Sequence, residues 1–509
     1  MRALISVSDK RGIVDFARQL QEMGWDIIAT GGTMKALRDA GLKIINISDV
    51  TGFPEICEGR VKTLHPKVHG GLLARRDVAE HMAEIAANGI ETIDMVCVNL
   101  YPFEATIAKE GVTLQDAVEN IDIGGPSMLR SAAKNFASVT VVCDPDDYAQ
   151  VISELKSEGN TTLDTRFKLS AKAYTHTALY DSHIATYMRE KAGLEEKLFL
   201  SFDRVQTLRY GENPHQQAAL YKAPEEESYS LLSAKQLNGK ELSYNNIQDA
   251  NAALNIVREF SEPFAVGLKH MNPCGAAIGK TIEEAWQKAY EADKVSIYGG
   301  IVAINRPLTL EVAKAMKPIF LEIVMAPAFD EDALELLRTK KNLRVLEVKM
   351  DNSREAQRQY VGINGGLLVQ DADTTVKDVT AEMTVTEKKP TAQELEDMNF
   401  AWRIVKHVKS NAIVIVKNGM TLGVGAGQMN RVGSANIALE EALASGNTEG
   451  LVLGSDGFLP FGDTVELVAD KGVTAIVQPG GSIRDQESID KANEKGLTML
   501  FTGMRHFKH

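Results

Sequence analysis

The sequence lacks the features that mark secreted, membrane and nucleic-acid-binding proteins. Only four cysteines occur among 509 residues, with no Cys-x-x-Cys pair, so we expect neither a disulfide framework nor a structural zinc site. No apolar run approaches the length of a membrane span, and the apolar start of the chain is too brief for a signal peptide. Acidic residues outnumber basic ones, and the formal net charge of -13 argues against a general nucleic-acid binder. We therefore expect a cytoplasmic protein with free thiols.

What the sequence does contain is an ordinary globular composition, with 44% hydrophobic and 25% charged residues. The length exceeds what a single hydrophobic core supports, so we expect at least two domains. Strands and helices alternate from the first residues onward, which predicts an α/β fold with a parallel sheet and crossover helices. The strands predicted in this region are residues 3–7, 26–29, 43–47, 95–99 and 138–143, and a helix is predicted at residues 34–40.

A charged stretch at residues 189–197 separates this region from the remainder of the chain. We therefore predict one domain over residues 1–195 and a second over residues 196–509. In the second region, Asn418-Gly419 lies between two apolar runs, and this dipeptide is a strong signal for a β-hairpin. The second domain is accordingly predicted to be mixed α/β.

Two predicted strand ends carry groups that bind anions. Residues 6–10 (Ser-Val-Ser-Asp-Lys) follow the first strand and residues 30–33 (Thr-Gly-Gly-Thr) follow the second, each directly before a helix. Hydroxyls, exposed N–H groups and helix N-termini favour an anion, so a phosphate is the expected guest. Taken alone, each segment also fits an ordinary helix cap. Neither is a Walker A loop or a Gly-x-Gly-x-x-Gly fingerprint, so ATP and NAD are not predicted.

Three further segments add groups suited to acid–base chemistry. Residues 60–71 (Arg-Val-Lys-Thr-Leu-His-Pro-Lys-Val-His-Gly-Gly) place three cations and two histidines in one predicted loop. Such a loop suits a substrate phosphate or a developing oxyanion, although it also fits a solvated basic patch. Residues 99–102 (Asn-Leu-Tyr-Pro) end a buried strand, and residues 122–127 (Asp-Ile-Gly-Gly-Pro-Ser) open a helix that bears Lys134. Together they supply a phenol, a carboxylate, an amine and a second glycine-rich helix start.

In this order the motifs resemble the IMP cyclohydrolase domain of the bifunctional AICAR formyltransferase/IMP cyclohydrolase family. The resemblance implies a methylglyoxal-synthase-like fold that binds FAICAR, the formylated form of the imidazole ribonucleotide AICAR, and closes it to the purine nucleotide IMP. We assign Lys62 to stabilising charge on the carbonyl oxygens, and Tyr101 and Asp122 to moving protons. The residues implied in substrate binding are Ser8, Lys10, Thr30, Gly31, Gly32, Thr33, Arg60, Thr63, Asn99, Gly124 and Lys134.

In the second region, a predicted buried strand at residues 264–268 runs into Lys269 and His270 before a predicted proline turn. A single histidine is more often structural, but an adjacent lysine and burial can tune both groups toward neutral pH. Pro273-Cys274 is similar to part of the zinc deaminase signature, yet residue 277 is alanine, so zinc hydrolysis is disfavoured and a metal-free relative of that fold stays open. Residues 423–428 (Gly-Val-Gly-Ala-Gly-Gln) follow a hairpin strand rather than opening a helix, which makes them a weak cofactor motif.

Together with residues 208–216, 410–411, 460–463 and 505–507, these segments resemble the formyltransferase half of the same family. The resemblance implies a duplicated cytidine-deaminase-like fold that transfers a formyl group from the cosubstrate 10-formyltetrahydrofolate to the 5-amino group of AICAR. We assign His270 as the base, and Lys269 as the group that protonates the folate nitrogen or stabilises the oxyanion. Asn411 is assigned to hold the formyl oxygen. The other residues implied in substrate binding are Arg209, Tyr210, Arg431, Phe461 and Arg505.

Met271 stands where the family usually has threonine. The resemblance further implies a homodimer whose transformylase sites use both subunits, and it leaves a structural potassium ion open; no nucleic-acid or membrane partner is expected. Two other functions stay open. In the first, the N-terminal domain is a phosphate-sensing module and only the C-terminal half is catalytic; a sensor would need phosphate ligands but not Tyr101 and Asp122. In the second, the whole chain is a non-catalytic scaffold.

Overall fold

The computed structural model divides the chain into two units, Met1–Ser201 and Phe202–His509. It describes residues 1–194, 196–223, 230–350 and 358–509. The domain boundary predicted at residue 195 falls on a position outside the described residues. None of the described helices combines the length and the apolar character needed to cross a bilayer.

The first unit is built on a five-stranded parallel sheet, as the alternating pattern predicts. Its strands are β1 (Arg2–Val7), β2 (Asp26–Ala29), β3 (Ile44–Asn46), β4 (Met95–Asn99) and β5 (Thr140–Val142). Their order across the sheet is β3-β2-β1-β4-β5. Every residue of β4 is buried, because helices cover both faces of a parallel sheet. The helices are α1 (Ile13–Glu22), α2 (Gly31–Asp39), α3 (Ile47–Thr51), α4 (Pro66–Leu73), α5 (Ala79–Ala87), α6 (Phe103–Ile107), α7 (Leu114–Glu119), α8 (Gly124–Lys134), α9 (Tyr148–Glu158) and α10 (Leu163–Ala192).

Two helix starts differ from the sequence prediction. Helix α2 begins at Gly31 instead of residue 34, so both glycines lie in its first turn. The predicted loop over residues 60–71 is wrong beyond His65, because Pro66 opens helix α4. Proline is favoured at the first helical position, where no N–H is needed and its φ already suits the helix. Only residues 60–65 therefore remain as a loop.

The second unit is built on an eleven-stranded mixed sheet, in the order β20-β19-β18-β16-β17-β10-β9-β11-β12-β13-β8. The strands of the unit are β6 (Asp203–Leu208), β7 (Ala218–Lys222), β8 (Lys235–Asn238), β9 (Phe264–Lys269), β10 (Asn272–Ile278), β11 (Ile301–Ile304), β12 (Ile323–Ala326), β13 (Arg344–Glu347), β14 (Arg358–Ile363), β15 (Gly366–Asp371), β16 (Ile413–Lys417), β17 (Met420–Gly425), β18 (Leu451–Ser455), β19 (Val473–Gln478) and β20 (Thr498–Phe501). The helices are α11 (Tyr244–Val257), α12 (Ile282–Ala292), α13 (Leu310–Met316), α14 (Glu331–Arg338), α15 (Ala392–Val405), α16 (Arg431–Ala444), α17 (Gly462–Ala469) and α18 (Asp485–Glu494).

The same order of elements occurs twice in this unit. A helix, a β-hairpin, and then three alternations of helix and strand run from α11 to β13, and again from α15 to β20. In each copy the first hairpin strand (β9 or β16) pairs antiparallel with the first strand after the hairpin (β11 or β18). The last two strands of each copy then extend the sheet in parallel. The copies meet where β10 pairs antiparallel with β17, so one continuous sheet joins them.

The hairpins of the two copies bear on two sequence predictions. The hairpin predicted at Asn418-Gly419 is confirmed, since these residues join β16 to β17. The proline turn predicted after His270 is wrong, because the chain reverses at His270 and Met271 and Pro273 already lies in β10. A two-residue turn gives the shortest connection between antiparallel strands, and Pro273 falls beside a register shift in the ladder, where proline is tolerated in a sheet.

Candidate active sites

A cleft of about 760 Å³ lies at the carboxyl edge of the first unit's sheet. The ends of β1, β2 and β4 meet the starts of α2 and α8 there, as expected for parallel strands. The predicted residues that line it are Ser8, Lys10, Thr30, Gly31, Gly32, Thr33, Arg60, Lys62, Thr63, Asn99, Tyr101, Asp122 and Gly124. Lys134 is not brought there, because it ends the 11-residue helix α8 and so lies about 15 Å along the axis from Gly124.

The start of α2 combines two lysine ammonium groups with a helix N-terminus. A Cβ placed on Gly31 would lie 3.9 Å from Lys62 Nζ, and one on Gly32 would lie 4.0 Å from Lys10 Nζ. Thr30, the N-cap residue, makes no side-chain capping bond to the first turn. Glycine exposes the N–H groups of this turn, and both the helix dipole and the lysines favour a negative charge there. The electrostatics of this corner therefore favour an anion.

The two threonine hydroxyls of the glycine motif are already satisfied within the protein. Thr33 is 4% exposed, and its hydroxyl accepts from Val7 N at 3.0 Å and donates to Val7 O at 3.1 Å. Thr30 is 3% exposed and its hydroxyl pairs with that of Ser6 at 3.1 Å. These hydroxyls fasten the end of β1 to α2, which leaves Ser8, the lysines and the backbone to contact a ligand.

Asn99 also has a structural task at this edge. Its side-chain oxygen accepts from Ser8 N at 2.6 Å and from Asp9 N at 2.9 Å, and its amide nitrogen donates to Asp9 O at 3.1 Å. The end of β4 thereby shapes the loop that follows β1. Asn99 thus lines the cleft and also supports the segment that carries Ser8 and Lys10.

The open side of the cleft carries the groups predicted for proton transfer. Tyr101 is 55% exposed, and one oxygen of Asp122 accepts from the N–H of Gly125 at 2.9 Å, which caps α8. A Cβ on Gly124 would lie only 2.6 Å from Thr63 Oγ1, so glycine lets the loop approach the helix start. The phenol and the carboxylate are thus held at the same mouth.

Some residues of the cleft escaped the motif analysis. Arg60 forms an ion pair with Glu119 at the end of α7, and its Nε lies 3.3 Å from Glu119 Oε2. The segment around Glu119 has no local pattern that marks it as a site, and only its nearness to the Asp122 motif along the chain would have suggested it. The other lining residues not predicted are Ser6, Val7, Glu58, Gly59, Val118, Asn120, Ile121, Ile123, Gly125 and Met128.

In the second unit, the β9–β10 turn lies at the sheet edge where β17 ends and β16 begins. His270 is exposed at the tip of this turn, and Lys269 donates from Nζ to Tyr298 O at 3.0 Å. Asn272 accepts from the N–H of Lys409 at 3.0 Å. This bond ties the turn to the loop that carries the predicted Asn411, so the two predicted catalytic segments are neighbours.

Asn411 is held by a buried charge cluster. Arg431 donates from Nη1 to Asn411 Oδ1 at 2.8 Å and to Asp456 Oδ1 at 2.9 Å. Asp456 is 0% exposed and was not predicted, although it follows an apolar strand as the other site residues do. Burial lowers the pKa of Arg431, and the charge of Asp456 opposes that shift. The Asn411 Nδ2 donates to Gln428 O at 2.8 Å, so both ends of this amide are engaged.

Aromatic rings lie next to the predicted Arg431 and Arg505. The guanidinium groups of Arg431 and Arg505 lie 5.6 and 5.2 Å from the centre of the Phe507 ring. Arg484 lies 4.7 Å from the ring centre of the predicted Phe461. A small cleft of about 390 Å³ opens beside this cluster, lined by Ser410, Asn411, Gly427, Gln428, Met429, Phe507 and His509.

Arg209 and Tyr210 follow β6, the first strand of a separate two-stranded sheet. The Arg209 guanidinium lies 5.7 Å from the centre of the Tyr210 ring. Within the described ranges, no hydrogen bond or ion pair joins either residue to Asn411 or Arg431. The structure therefore joins Asn411, Arg431 and Arg505 through direct contacts with each other or with Phe507.

Comparison with known proteins identifies the family. The profile of the AICARFT/IMPCHase bienzyme family matches residues 132–441, and that of the MGS-like domain matches residues 12–127. The bifunctional purine biosynthesis protein PurH of Anoxybacillus flavithermus is 59% identical over 511 residues, covering 100% of this chain and 99% of its own. Its counterpart from Listeria monocytogenes serotype 4b is 57% identical over 510 residues, with both chains covered completely. The chain belongs to the AICARFT/IMPCHase bienzyme family.

As a member of the AICARFT/IMPCHase family, the chain is a bifunctional AICAR transformylase and IMP cyclohydrolase of de novo purine biosynthesis. The family implies AICAR and FAICAR as substrates and a folate as cosubstrate. The function predicted from the motifs is confirmed, and the scaffold alternative is wrong.

The Gly-x-Gly segment of β17 has a packing role in this bienzyme. A Cβ on Gly423 would lie 1.9 Å from Ala438 O, and one on Gly425 would lie 1.9 Å from Ser434 O. Glycine is needed at both positions because the backbone of α16 packs directly on the strand. Close helix packing accounts for these glycines without a cofactor.

Proposed function

We propose that the cleft of the first unit is the cyclohydrolase site, and that the sheet edge with His270 and Asn411 in the second unit is the transformylase site. This assigns the predicted domains 1–195 and 196–509 to the two activities. The MGS-like match over residues 12–127 falls within the first unit. The observation that carries the assignment is the convergence of Lys10 and Lys62 on the first turn of α2, in a cleft that also holds Tyr101 and Asp122.

In the cyclohydrolase reaction, the carboxamide nitrogen of FAICAR attacks the formyl carbon on the same ring, and water is then lost. Both groups belong to one molecule, so positioning supplies much of the catalysis. The phosphate binds at the start of α2, where Lys10 and the N–H groups of Gly31 and Gly32 meet it. Lys62 stabilises charge on the carbonyl oxygens, and Tyr101 and Asp122 transfer protons at the mouth of the cleft.

In the transformylase reaction, the 5-amino group of AICAR attacks the formyl carbon of 10-formyltetrahydrofolate. The lone pair of this amine is delocalised into the imidazole ring, so a base must remove its proton as the bond forms. We assign the removal of that proton to His270. Lys269 is assigned to protonate the departing folate nitrogen or to stabilise the oxyanion. Asn411 donates from Nδ2 to the formyl oxygen. The hydrogen bond from this nitrogen to Gln428 O must therefore break when the substrate binds. Arg431 holds Asn411 in place.

Two substitutions in the intact chain test this division. His270→Ala is expected to lower formyl transfer by at least about 10²-fold through the loss of an acid–base group, with cyclisation retained. Lys62→Ala is expected to lower cyclisation and leave formyl transfer unchanged. Lys67→Ala is the matched control for Lys62, since it removes a lysine of the same motif that does not line the cleft.

Steady-state assays of both reactions on each variant distinguish the outcomes. Loss of both activities in the His270→Ala variant, or retention of cyclisation in the Lys62→Ala variant, would contradict the assignment. A phosphate sensor in the first unit predicts that Lys62→Ala weakens FAICAR binding while IMP formation comes from elsewhere in the chain.

We also propose that the protein is a homodimer. Strands β14 and β15 form a two-stranded ribbon in which every residue is exposed, and such a ribbon is only marginally stable by itself. Exposed contiguous apolar side chains commonly mark an interface. A second copy of the chain is the proposed cover, and the apolar residues concerned are Tyr360, Val361, Ile363, Leu367, Leu368 and Val369.

Analytical ultracentrifugation tests the dimer directly. Leu368→Asp places a charge in the apolar ribbon and is expected to shift the protein toward monomer. Gln370→Asp, on the same strand, is the control because its side chain is already polar. A dimer that is equally stable in both variants would remove the ribbon from the interface.

Three further proposals concern the fold, an ion and the location. The duplicated element order of the second unit supports a cytidine-deaminase-like architecture for each copy. In the described part of the chain, no group of three or more His, Cys, Asp or Glu residues is arranged to hold a metal. A bound potassium ion and a cytoplasmic location stay predictions.

A further inference from the structure

The two copies in the second unit share a detail beyond their topology. In each copy, an aspartate of the first helix accepts hydrogen bonds from the backbone of the hairpin turn. Asp397 of α15 accepts from Asn418 N at 2.9 Å and from Gly419 N at 2.6 Å. Asp249 of α11 accepts from Met271 N at 2.7 Å. Each aspartate is the sixth residue of its helix, and each precedes its turn by 21 residues (249 to 270 and 397 to 418).

The two turns have the same shape but very different sequences. Asn418 and Gly419 have φ values of 55° and 66°, and His270 and Met271 have φ values of 52° and 62°. A two-residue turn with both φ angles positive favours Asn-Gly, because these residues tolerate the left-handed region. Histidine tolerates this region better than most residues do, but methionine is not favoured there, and such strain concentrates at functional sites. The turn in the first copy therefore depends on its surroundings more than the turn in the second copy does.

Asp249 contacts the backbone of the His270–Met271 turn directly. Burial raises the pKa of the Asp249 carboxyl, and the N–H groups of Met271 and His270 oppose that shift. The backbone carbonyl of His270 also accepts from Asn272 Nδ2 at 3.1 Å. The aspartate and this amide hold the turn through hydrogen bonds with its backbone atoms. The positive charge of a protonated His270 also lowers the pKa of Asp249.

We propose that Asp249 is a positioning residue of the transformylase site, whose carboxylate holds the His270–Met271 turn in its left-handed conformation and so directs the imidazole at the substrate. Asp397 makes the equivalent contact in the other copy, where Asn-Gly already favours the turn conformation and the turn carries no catalytic group. The inference rests on the proposed role of His270 as the base.

The test compares Asp249→Ala with Asp397→Ala in the full-length protein. Asp249→Ala is expected to lower kcat for formyl transfer by about 10²-fold, the loss expected from a misplaced catalytic group. The KM for AICAR and the cyclisation rate are expected to change little. Asp397→Ala removes an equivalent bond from the second copy and is expected to leave kcat for formyl transfer within a few-fold of the parent.

A second substitution separates positioning from general damage. Glycine adopts positive φ without strain, so Met271→Gly added to Asp249→Ala is expected to recover part of the lost kcat. Asp249→Asn, which keeps an acceptor oxygen, is expected to fall between the parent and Asp249→Ala, and it provides the test if the alanine variant does not fold.

Three results would overturn the inference. They are an unchanged kcat in the Asp249 variants, equal losses of both activities in folded Asp249→Ala, and an equal loss of formyl transfer in Asp397→Ala. The inference also fails separately from the proposed function. If His270→Ala abolishes formyl transfer while Asp249→Ala does not affect it, only the role of Asp249 is wrong; if His270→Ala is fully active, the proposed base is wrong.

Discussion

The substitution Gly457→Ala offers a direct test of the charge cluster around Asn411. A Cβ at this position would lie 1.8 Å from Arg431 Nη2, and 2.7 Å from both Arg431 Cζ and Phe507 Cε1. Nonbonded heavy atoms pack at about 3.5–4.0 Å, so the guanidinium must move by roughly 1.5–2 Å. A shift of that size breaks hydrogen bonds that are now 2.8 and 2.9 Å long.

The cost follows from the burial of Asp456, which is 0% exposed. Breaking a buried ion pair costs about 3–5 kcal/mol, because a charge is left without its partner. Asp456 keeps bonds to the hydroxyl of Ser410 and, at 3.2 Å, to the N–H of Ala412. We therefore expect the free energy of unfolding to fall by about 3 kcal/mol, the low end of this range. For a large domain this corresponds to a fall in Tm of roughly 6–12 °C.

Thermal unfolding and the two activity assays check this expectation together. Formyl transfer is expected to fall by about 10²-fold, since Asn411 loses the group that holds it. Cyclisation is assigned to the other unit in our proposal and serves as the internal control in the same sample. An unchanged Tm with full formyl transfer would refute the contact between Gly457 and Arg431 on which the reasoning depends.

Two further predictions concern groups whose environment the structure defines. Thr33→Val removes the hydroxyl that bonds to the buried backbone of Val7, and we expect a loss of about 1–3 kcal/mol in chemical denaturation; a raised KM for FAICAR with unchanged stability would show instead that the hydroxyl contacts the substrate. Burial lowers the pKa of Lys508 from its usual 10.5 to about 8, so between these pH values the unfolded chain holds a proton that the folded chain releases. Lys508 should therefore contribute a rise in the free energy of unfolding with pH across this window, opposed above about pH 9 by the buried thiols, whose pKa values are raised to about 12. Lys508→Met should remove that contribution, and a pH profile of stability that is identical in the variant and the parent would contradict the assignment.

Local periodicity predicted much of the first unit. The strands predicted at residues 26–29 and 95–99 coincide with β2 and β4, because short apolar runs between turn residues are typical of buried parallel strands. The early start of α2 and the existence of α4 were missed. Glycine and proline indicate loops when their sequence alone is considered, whereas both are tolerated in the first turn of a helix.

The internal duplication was expected from the family resemblance alone, because the residues of the two copies do not show it. The two hairpin turns, His-Met and Asn-Gly, share no residue, and only the matching topology relates them. A faint signal did exist, since Asp249 and Asp397 stand at the same distance from their turns. That signal has meaning only when the aspartate is seen to contact the turn, which depends on how a helix packs on a sheet.

By itself, the sequence determined which chemical groups this protein carries and where along the chain they stand, because helix caps, strand ends and motif spacing are local properties. The tertiary structure alone decided which of those groups are available to a substrate. Thr33 and Asn99 carry suitable atoms, yet their hydrogen bonds go to the backbone of β1 and of the loop after it. Lys10 and Lys62, 52 residues apart in the chain, converge on one helix turn. Burial and hydrogen-bond partners come from segments that are distant in sequence, so they exist only once the chain has folded.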